Sequence, residues 1–488
     1  MNFDSARRFL GCALPNHFAS QGVRTAIALL ALGGGWANAA ESYDLRANPT
    51  KGAEQQVKVV VEVAGDLKLN ADGKEVQRLP LKVAAEMHFS ERIVAANEGD
   101  SSPPSSQIHT VRHYHTAAAT IQIQGAETTQ TLRDERRLIA VQIAGDAATL
   151  CSPLGPLTRE ELELIDIPGT SMSLAALLPG KSVKTGETWK PSDAIVTQFV
   201  NLDAIAQQDV VCKLDSVEDD IAIIDIAGKV AGAVGGISSD IELKAKLNFD
   251  LKRRCVTWLA MALREDRAIG HAQPGFQTTT RIRLVAAPAS ATPQLADKQL
   301  AGLDLQAKPT TTLLELSTVK GGYELLHDRR WHVMTDRFDV AVMRLVDRGD
   351  LVAQCNISKL PALPKGQQLT LEGFQQDIKK SLGKNFGQFV EAGEDKNDNG
   401  IRLLRVTVAG FASELPIQWT YYHLSDDHGR RASLVFTIEA KLVERYAQLD
   451  REVISGFRFL DLPAAESPEP TPAGGQAAAQ NAAGPKLK

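Results

Sequence analysis

Ile241-Glu242-Leu243-Lys244-Ala245-Lys246-Leu247-Asn248-Phe249 alternates apolar and polar residues without a break. A strand points successive side chains to opposite faces, so this stretch has one dry side and one wet side. The same period of two returns in Val57, Val59, Val61 and Val63. It returns again in Leu81, Val83, Ala85, Met87 and Phe89, with Lys82, Glu86 and His88 between them. Phe276, Ile282 and Leu284, beside Arg281 and Arg283, carry it to residue 285. Strands wet on one face belong to antiparallel sheets, because a parallel sheet is covered on both. Short turns such as Glu218-Asp219-Asp220 and Lys252-Arg253-Arg254 join them. The pattern predicts a large, bent antiparallel sheet or an open barrel over residues 40–285. One helix interrupts it: Thr158 and Glu161 form a capping box before Leu162 and Ile165, and Pro168 ends the run.

Residues 286–310 turn to Ala, Pro, Thr and Gln, the composition of a linker. Beyond them, 311–462 reads as an α+β sandwich. Strands are expected at Trp331 to Thr335, Val340 to Leu345, Leu351 to Ser358, Ile401 to Val408, Leu415 to Leu424 and Ser433 to Ile438. Leu371, Phe374, Ile378, Leu382 and Phe386 fall at helical spacing after Thr370, and Leu442, Tyr446, Leu449 and Val453 do likewise. From 463 to 488 the chain is Pro, Ala, Gly and Gln and is expected to be disordered. The fold class is therefore mostly β plus α+β, in two domains.

The N-terminus gives an address. Arg7, Arg8 and Arg24 precede an apolar run from Ala26 to Leu32, and Ala37-Asn38-Ala39 supplies the small residues of a cleavage site. The run is too short to span a bilayer, so 1–39 reads as a secretory signal peptide and the protein as periplasmic or extracellular. Cleavage removes three arginines and one aspartate and takes the formal charge from −5 to −7. That balance argues against nucleic acid as a partner, and no later apolar run reaches transmembrane length. Cys151, Cys212, Cys255 and Cys355 remain. Cys212 and Cys255 would sit on the first and fourth strands of a meander over 206–265, beyond disulfide reach at about 4.8 Å per strand. Unpaired, largely buried thiols are expected.

Tyr323-Glu324-Leu325-Leu326 leading to Trp331 is one of two suggestive stretches in the C-terminal third. The other is the tail from Ser433 through the helix to Ile454-Ser455-Gly456-Phe457-Arg458-Phe459. Together they resemble the PsbP-like fold, shared by an extrinsic photosystem subunit and a Ran-binding nuclear-transport factor. The resemblance implies a non-catalytic α/β/α sandwich that recognises a partner, and it carries over no binding residue. Leu178-Pro179-Gly180-Lys181 followed by Thr188-Trp189-Lys190 resembles β-rich domains of uncharacterised exported bacterial proteins, which carry no known activity.

Several short motifs need weighing against plainer readings. Asp395, Asn397, Asn399 and Gly400 match the first half of a calcium loop, yet Val406 stands where a bidentate acid is needed. A polar turn entering a strand is the simpler reading. His109, His113 and His115 would share one strand face at a spacing that can suit one metal ion, but no acidic or cysteine partner lies nearby and a wet strand face is the plainer reading. Pro179-Gly180-Lys181-Ser182 ends like a phosphate loop, but Ala175 replaces its first glycine. Ser317-x-x-Lys320, Ser381-x-x-Lys384 and Lys184-Thr185-Gly186 match elements of serine–lysine enzymes in the wrong order. Asp347-Arg348-Gly349-Asp350 reads as a tight turn, and Gly169-x-Ser171 lacks the closing glycine of a nucleophile elbow.

The sequence thus assigns no catalytic, cofactor-binding or metal-ligating residue and no cofactor. The reading it supports is an exported, non-enzymatic binding protein for an unknown protein, lipid or glycan. A hydrolase with scattered residues and a structural envelope component are the alternatives.

Overall fold

The structure, a computed structural model, describes residues 41–70, 75–95, 107–144, 147–171, 173–337, 340–364 and 366–461. The expected signal at 1–39 and the tail at 463–488 lie outside the described residues, as does most of Asn97 to Gln107, where Pro103-Pro104 among serines reads as a loop.

The alternating stretches form one thirteen-stranded antiparallel sheet. Its long members are β1 (Glu54–Asn70), β2 (Val76–Ala95), β3 (Gln107–Ile123), β4 (Val211–Glu218), β5 (Ile221–Val234), β6 (Ile237–Asp250), β7 (Cys255–Arg267) and β8 (Gly275–Pro288). From one edge the order is Ala147–Cys151, Leu138–Ala144, β3, β2, β1, β8, β7, β6, β5, β4 and Thr188–Trp189. The path does not return on itself, so the sheet is open and not a closed barrel. Cys212 on β4 and Cys255 on β7 stand three strands apart, and the four described cysteines are free.

Residues between Ser152 and Leu202 form an insert laid across the dry face. The helix Arg159–Ile165, called α1, is capped as expected: Thr158 and Glu161 exchange the two hydrogen bonds of a capping box. A second helix, α2 (Asp193–Val200), gave no clear sequence signal, because it is short and its burial is nearly all-round toward its end. Insert residues Leu162, Ile165, Leu174, Leu177, Val196 and Phe199 share one core with Val57, Val59, Met87, Leu259 and Leu284 of the sheet. Each such side chain removed from water contributes about 1.5–3 kcal/mol, which fixes the insert to this face.

Residues 286–310 lie along the sheet. Leu295 and Leu300 pack on Val111 and Leu138, and Arg92 pairs with Asp297 at 2.8 Å.

The second sheet has seven strands: β9 (Trp331–Arg337), β10 (Val340–Asp347), β11 (Asp350–Leu360), β12 (Phe386–Lys396), β13 (Arg402–Ala412), β14 (Leu415–Ser425) and β15 (Arg431–Glu439). Their order is β9-β10-β11-β15-β14-β13-β12, antiparallel throughout. One face packs against the chain from Leu442 to Phe459, the other packs over β13 against α3 (Leu371–Leu382). Thr370 caps α3 through the Gly373 amide. Phe386, which the spacing places on this helix, begins β12 instead, because Gly383 turns the chain at φ +52°. The second expected helix is broken: Val443–Tyr446 and Leu449–Ser455 (α4) are separated by left-handed Ala447 and Gln448.

Contacts through backbone and side chain tie the two parts of the chain together. Leu157 bridges Leu314, the Arg329 guanidinium donates to the Leu150 carbonyl, and the turn at Gly236 touches the turn at Gly349.

Candidate functional site

The dry face of the first sheet changes character along its length. Under the insert it is closed, and the void left there is about 10 Å³, room for one water. Lining that void are Phe89, Arg112, Tyr114 and Ser171 among others. Alternation puts Glu91 on the dry face, where a lone carboxylate would be costly, so its partners are supplied. Arg112 Nε donates to Glu91 Oε1 at 2.8 Å, Ser171 Oγ to Oε2 at 2.6 Å and Gln55 Nε2 to Oε2 at 2.8 Å. Burial pushes the Glu91 carboxyl up, but Arg112 and these hydrogen bonds outweigh it and hold its pKa below the usual range. Among the described residues the Tyr114 hydroxyl finds no hydrogen-bond partner of good geometry, and burial raises its pKa. Ser171 is thus an anchor that fastens the insert, with its proton committed to a carboxylate.

Past the insert the dry face is open. Rows of paired residues run across the strands: Val63, Val83 and Ile121; then Gly65, Leu81 and Ile123; then Phe276, Leu67 and Leu79. These apolar side chains are partly exposed, and Leu67, Leu79, Leu81, Ile121 and Ile123 join no core cluster among the described residues. The same rows continue into polar ground. Leu81 leads through Gly65 and Thr278 to Glu265, and Leu79 leads through Leu67 and Phe276 to Arg267 and Ser239. Arg267 lies over the Phe276 ring at 4.6 Å and donates to Glu265 Oε1 from Nε at 2.9 Å and from a terminal nitrogen at 2.7 Å. The Ser239 hydroxyl donates to the same oxygen. An apolar floor and a neutralised ionic group therefore stand side by side on one sheet face.

The wet face carries a shallow groove of about 530 Å³, lined by Gln207, Gln208, Lys229, Asp240, Arg264 and Asp266 among others. Lys68 pairs with Asp266 and Arg264 with Glu242, so much of its charge is internally matched.

The sequence candidates fall elsewhere. Asn397 and Asn399 are brought together, but as helix clamps: Asn397 donates to the Ile454 and Phe457 carbonyls at 3.0 and 2.7 Å, and Asn399 to Phe457 at 3.0 Å. Asn397 Oδ1 also accepts from the Asn399 and Ile401 amides. His113 and His115 meet, at 5.3 Å between ring centres, while His109 sits further along, paired with Ala95. His88 of β2 joins them instead, 4.9 Å from His115. Among the described residues no group of three His, Cys, Asp or Glu is arranged to hold a metal ion. Lys181 pairs with Glu187 at 3.2 Å, and the Gly180 carbonyl accepts from Arg46. Ser317 lies on the strand Leu314–Thr318, Ser381 on α3 and Lys184 on Ser182–Lys184, three separate elements. Asp347 and Asp350 are both clamped by Arg445, at 2.8 and 2.7 Å.

No helix of the described residues is long and apolar enough to cross a membrane, which says nothing of strands. No protein-family description and no curated protein matches the sequence. Solved structures do show likenesses. Cyanobacterial PsbP from Synechocystis is 16% identical, covering 30% of this chain and 92% of its own, at a TM-score of 0.24. The resemblance is to the PsbP fold. The Saccharomyces cerevisiae Ran-binding protein Mog1p is similar at 12% identity, over 31% of this chain and 96% of its own, with a TM-score of 0.25. Lipovitellin matches at 8% identity over 70% of this chain and 32% of its own, with a TM-score of 0.31. At these values the likenesses concern chain arrangement alone and transfer neither ligand nor activity.

Proposed function

We propose that this is an exported, non-catalytic protein that binds an amphipathic, lipid-like ligand on the open end of its first sheet. One observation carries the reading: partly exposed Leu67, Leu79, Leu81 and Ile123 pair across the strands beside the Arg267–Glu265 group. A contiguous apolar patch rimmed by polar groups is the usual form of a binding surface. The ligand's chain would lie on the apolar rows, and its polar end would meet Arg267, Glu265 and Ser239. Export rests on the reading of residues 1–39.

A fluorescent fatty-acyl probe tests this. Saturable binding is expected, with loss of about tenfold or more in affinity for Leu81→Lys or Ile123→Lys, since placing a charge under an acyl chain removes its burial. Unsaturable binding, or equal affinity in both variants, overturns the reading. A polar variant on the wet face, Lys244→Gln, serves as the unchanged control.

A further inference from the structure

On the wet face of the same sheet, three imidazoles stand in a row: His88, His115 and His113, with ring centres 4.9 and 5.3 Å apart. The middle ring belongs to an irregular position. β2 and β3 pair His88 with Thr116 and Phe89 with Tyr114, so His115 is the extra residue of a β-bulge. The Ser90 hydroxyl, 2.9 Å from His115 Nε2, holds the bulged side chain. His88 Nε2 and His113 Nδ1 are buried and find no hydrogen-bond partner among the described residues.

We propose that this row is an acid-sensing latch that loosens the bulged pairing of β2 with β3 and releases the Ser171 end of the insert. The two faces are joined through the register. Ser90 pairs with His113 on the wet side, and the next pair, Glu91 with Arg112, is the buried anchor that Ser171 engages.

The charges around the row decide the sign. Lys58 of β1 stands opposite His88, and Arg137, just before the strand Leu138–Ala144 and itself paired with Asp134 at 2.6 Å, acts on His113. Glu86 of β2 is an acid acting on His88 in the opposite sense, and on the dry side Arg112 is already matched by Glu91. Further along the wet face Arg92 is matched by Asp297. Burial first, then His115, then these cations lower the proton affinity of His88 and His113. A proton on His88 or His113 meets the positive charge of Lys58 or Arg137, and a second proton in the row meets the first. Opening the bulge relieves that repulsion, so acid favours the open form.

This inference goes beyond ligand binding and stands or falls without it. Hydrogen exchange on the whole chain, read by mass spectrometry at about pH 7.5 and 5.5 and corrected for intrinsic chemistry, tests it. Amides of 107–123 and 166–177 are expected to exchange faster in acid, by about tenfold for each imidazole whose proton affinity rises one pKa unit on opening. Amides of 221–250 in β5 and β6, which carry no histidine and lie several strands from the row, should hold their protection. His115→Gln and His88→Gln should each remove most of the acid effect. Equal protection at the two pH values overturns the proposal. So does an acid effect that persists in both variants, or one that opens β5 and β6 to the same extent.

Discussion

Glu91 and Arg112 face each other across adjacent strands, Arg112 Nε 2.8 Å from Glu91 Oε1, with both side chains sealed from solvent. Such a pair contributes little to net stability, but half of it is worse than none. Glu91→Leu and Arg112→Met are each expected to cost about 3–5 kcal/mol in urea unfolding, and the double variant less than their sum. Additive losses would show that the pair is not coupled.

Acid should weaken the C-terminal part of the fold, from Tyr323 onward, through buried neutral imidazoles. Burial lowers His327, His332 and His423 to pKa values of about 4. Their folded pKa lies below the unfolded value of about 6.5, so the stability they allow is complete above that pH. It falls as pH drops from about 6.5 toward 4, where the unfolded chain takes up protons first. His423, with neither ring nitrogen hydrogen-bonded among the described residues and Phe374 beside it, gives the cleanest case. His423→Leu should flatten the slope of unfolding free energy against pH across that window.

Asn397 replaces a calcium ion as the organiser of its loop. Asn397→Ala frees the Ile454 and Phe457 carbonyls at the end of α4, and the expected loss is about 1–3 kcal/mol. Added calcium should leave the unfolding midpoint of the natural protein unmoved. A rise in that midpoint would restore the metal reading.

Gly236 and Gly349 meet backbone to backbone, each at positive φ, +76° and +84°. A Cβ on Gly236 would lie 2.2 Å from the Gly349 nitrogen, where nothing flexible can yield. Gly236→Ala should therefore lower the melting temperature by several degrees, and Gly235→Ala, with open space around its Cβ position, by less.

The first sheet was legible because its wet and dry faces alternate over many residues. Val57 to Val63, Leu81 to Phe89 and Ile241 to Phe249 all take the predicted face. The strand Phe386–Lys396 was missed because it lies at an edge with almost every residue exposed, so no period of two is imposed on it. The break at Ala447 and Gln448 was hidden because neither residue signals a left-handed turn. Of the open apolar end, the residues were visible but their vacancy was not: a sequence shows that Leu81 faces inward, not where the insert stops. The Glu91 anchor was missed because its partners Arg112 and Ser171 lie 21 and 80 positions away. His88 was missed as a neighbour of His115 because register between strands, not spacing within one, brings them together.

The turn Arg348-Gly349 has a consequence for adhesion. A receptor that reads Arg-Gly-Asp needs its arginine and aspartate displayed on a pliant tip. In this protein the glycine is pressed against another turn and the aspartate is gripped by Arg445, so cells should spread on a coated surface no better than on an inert one.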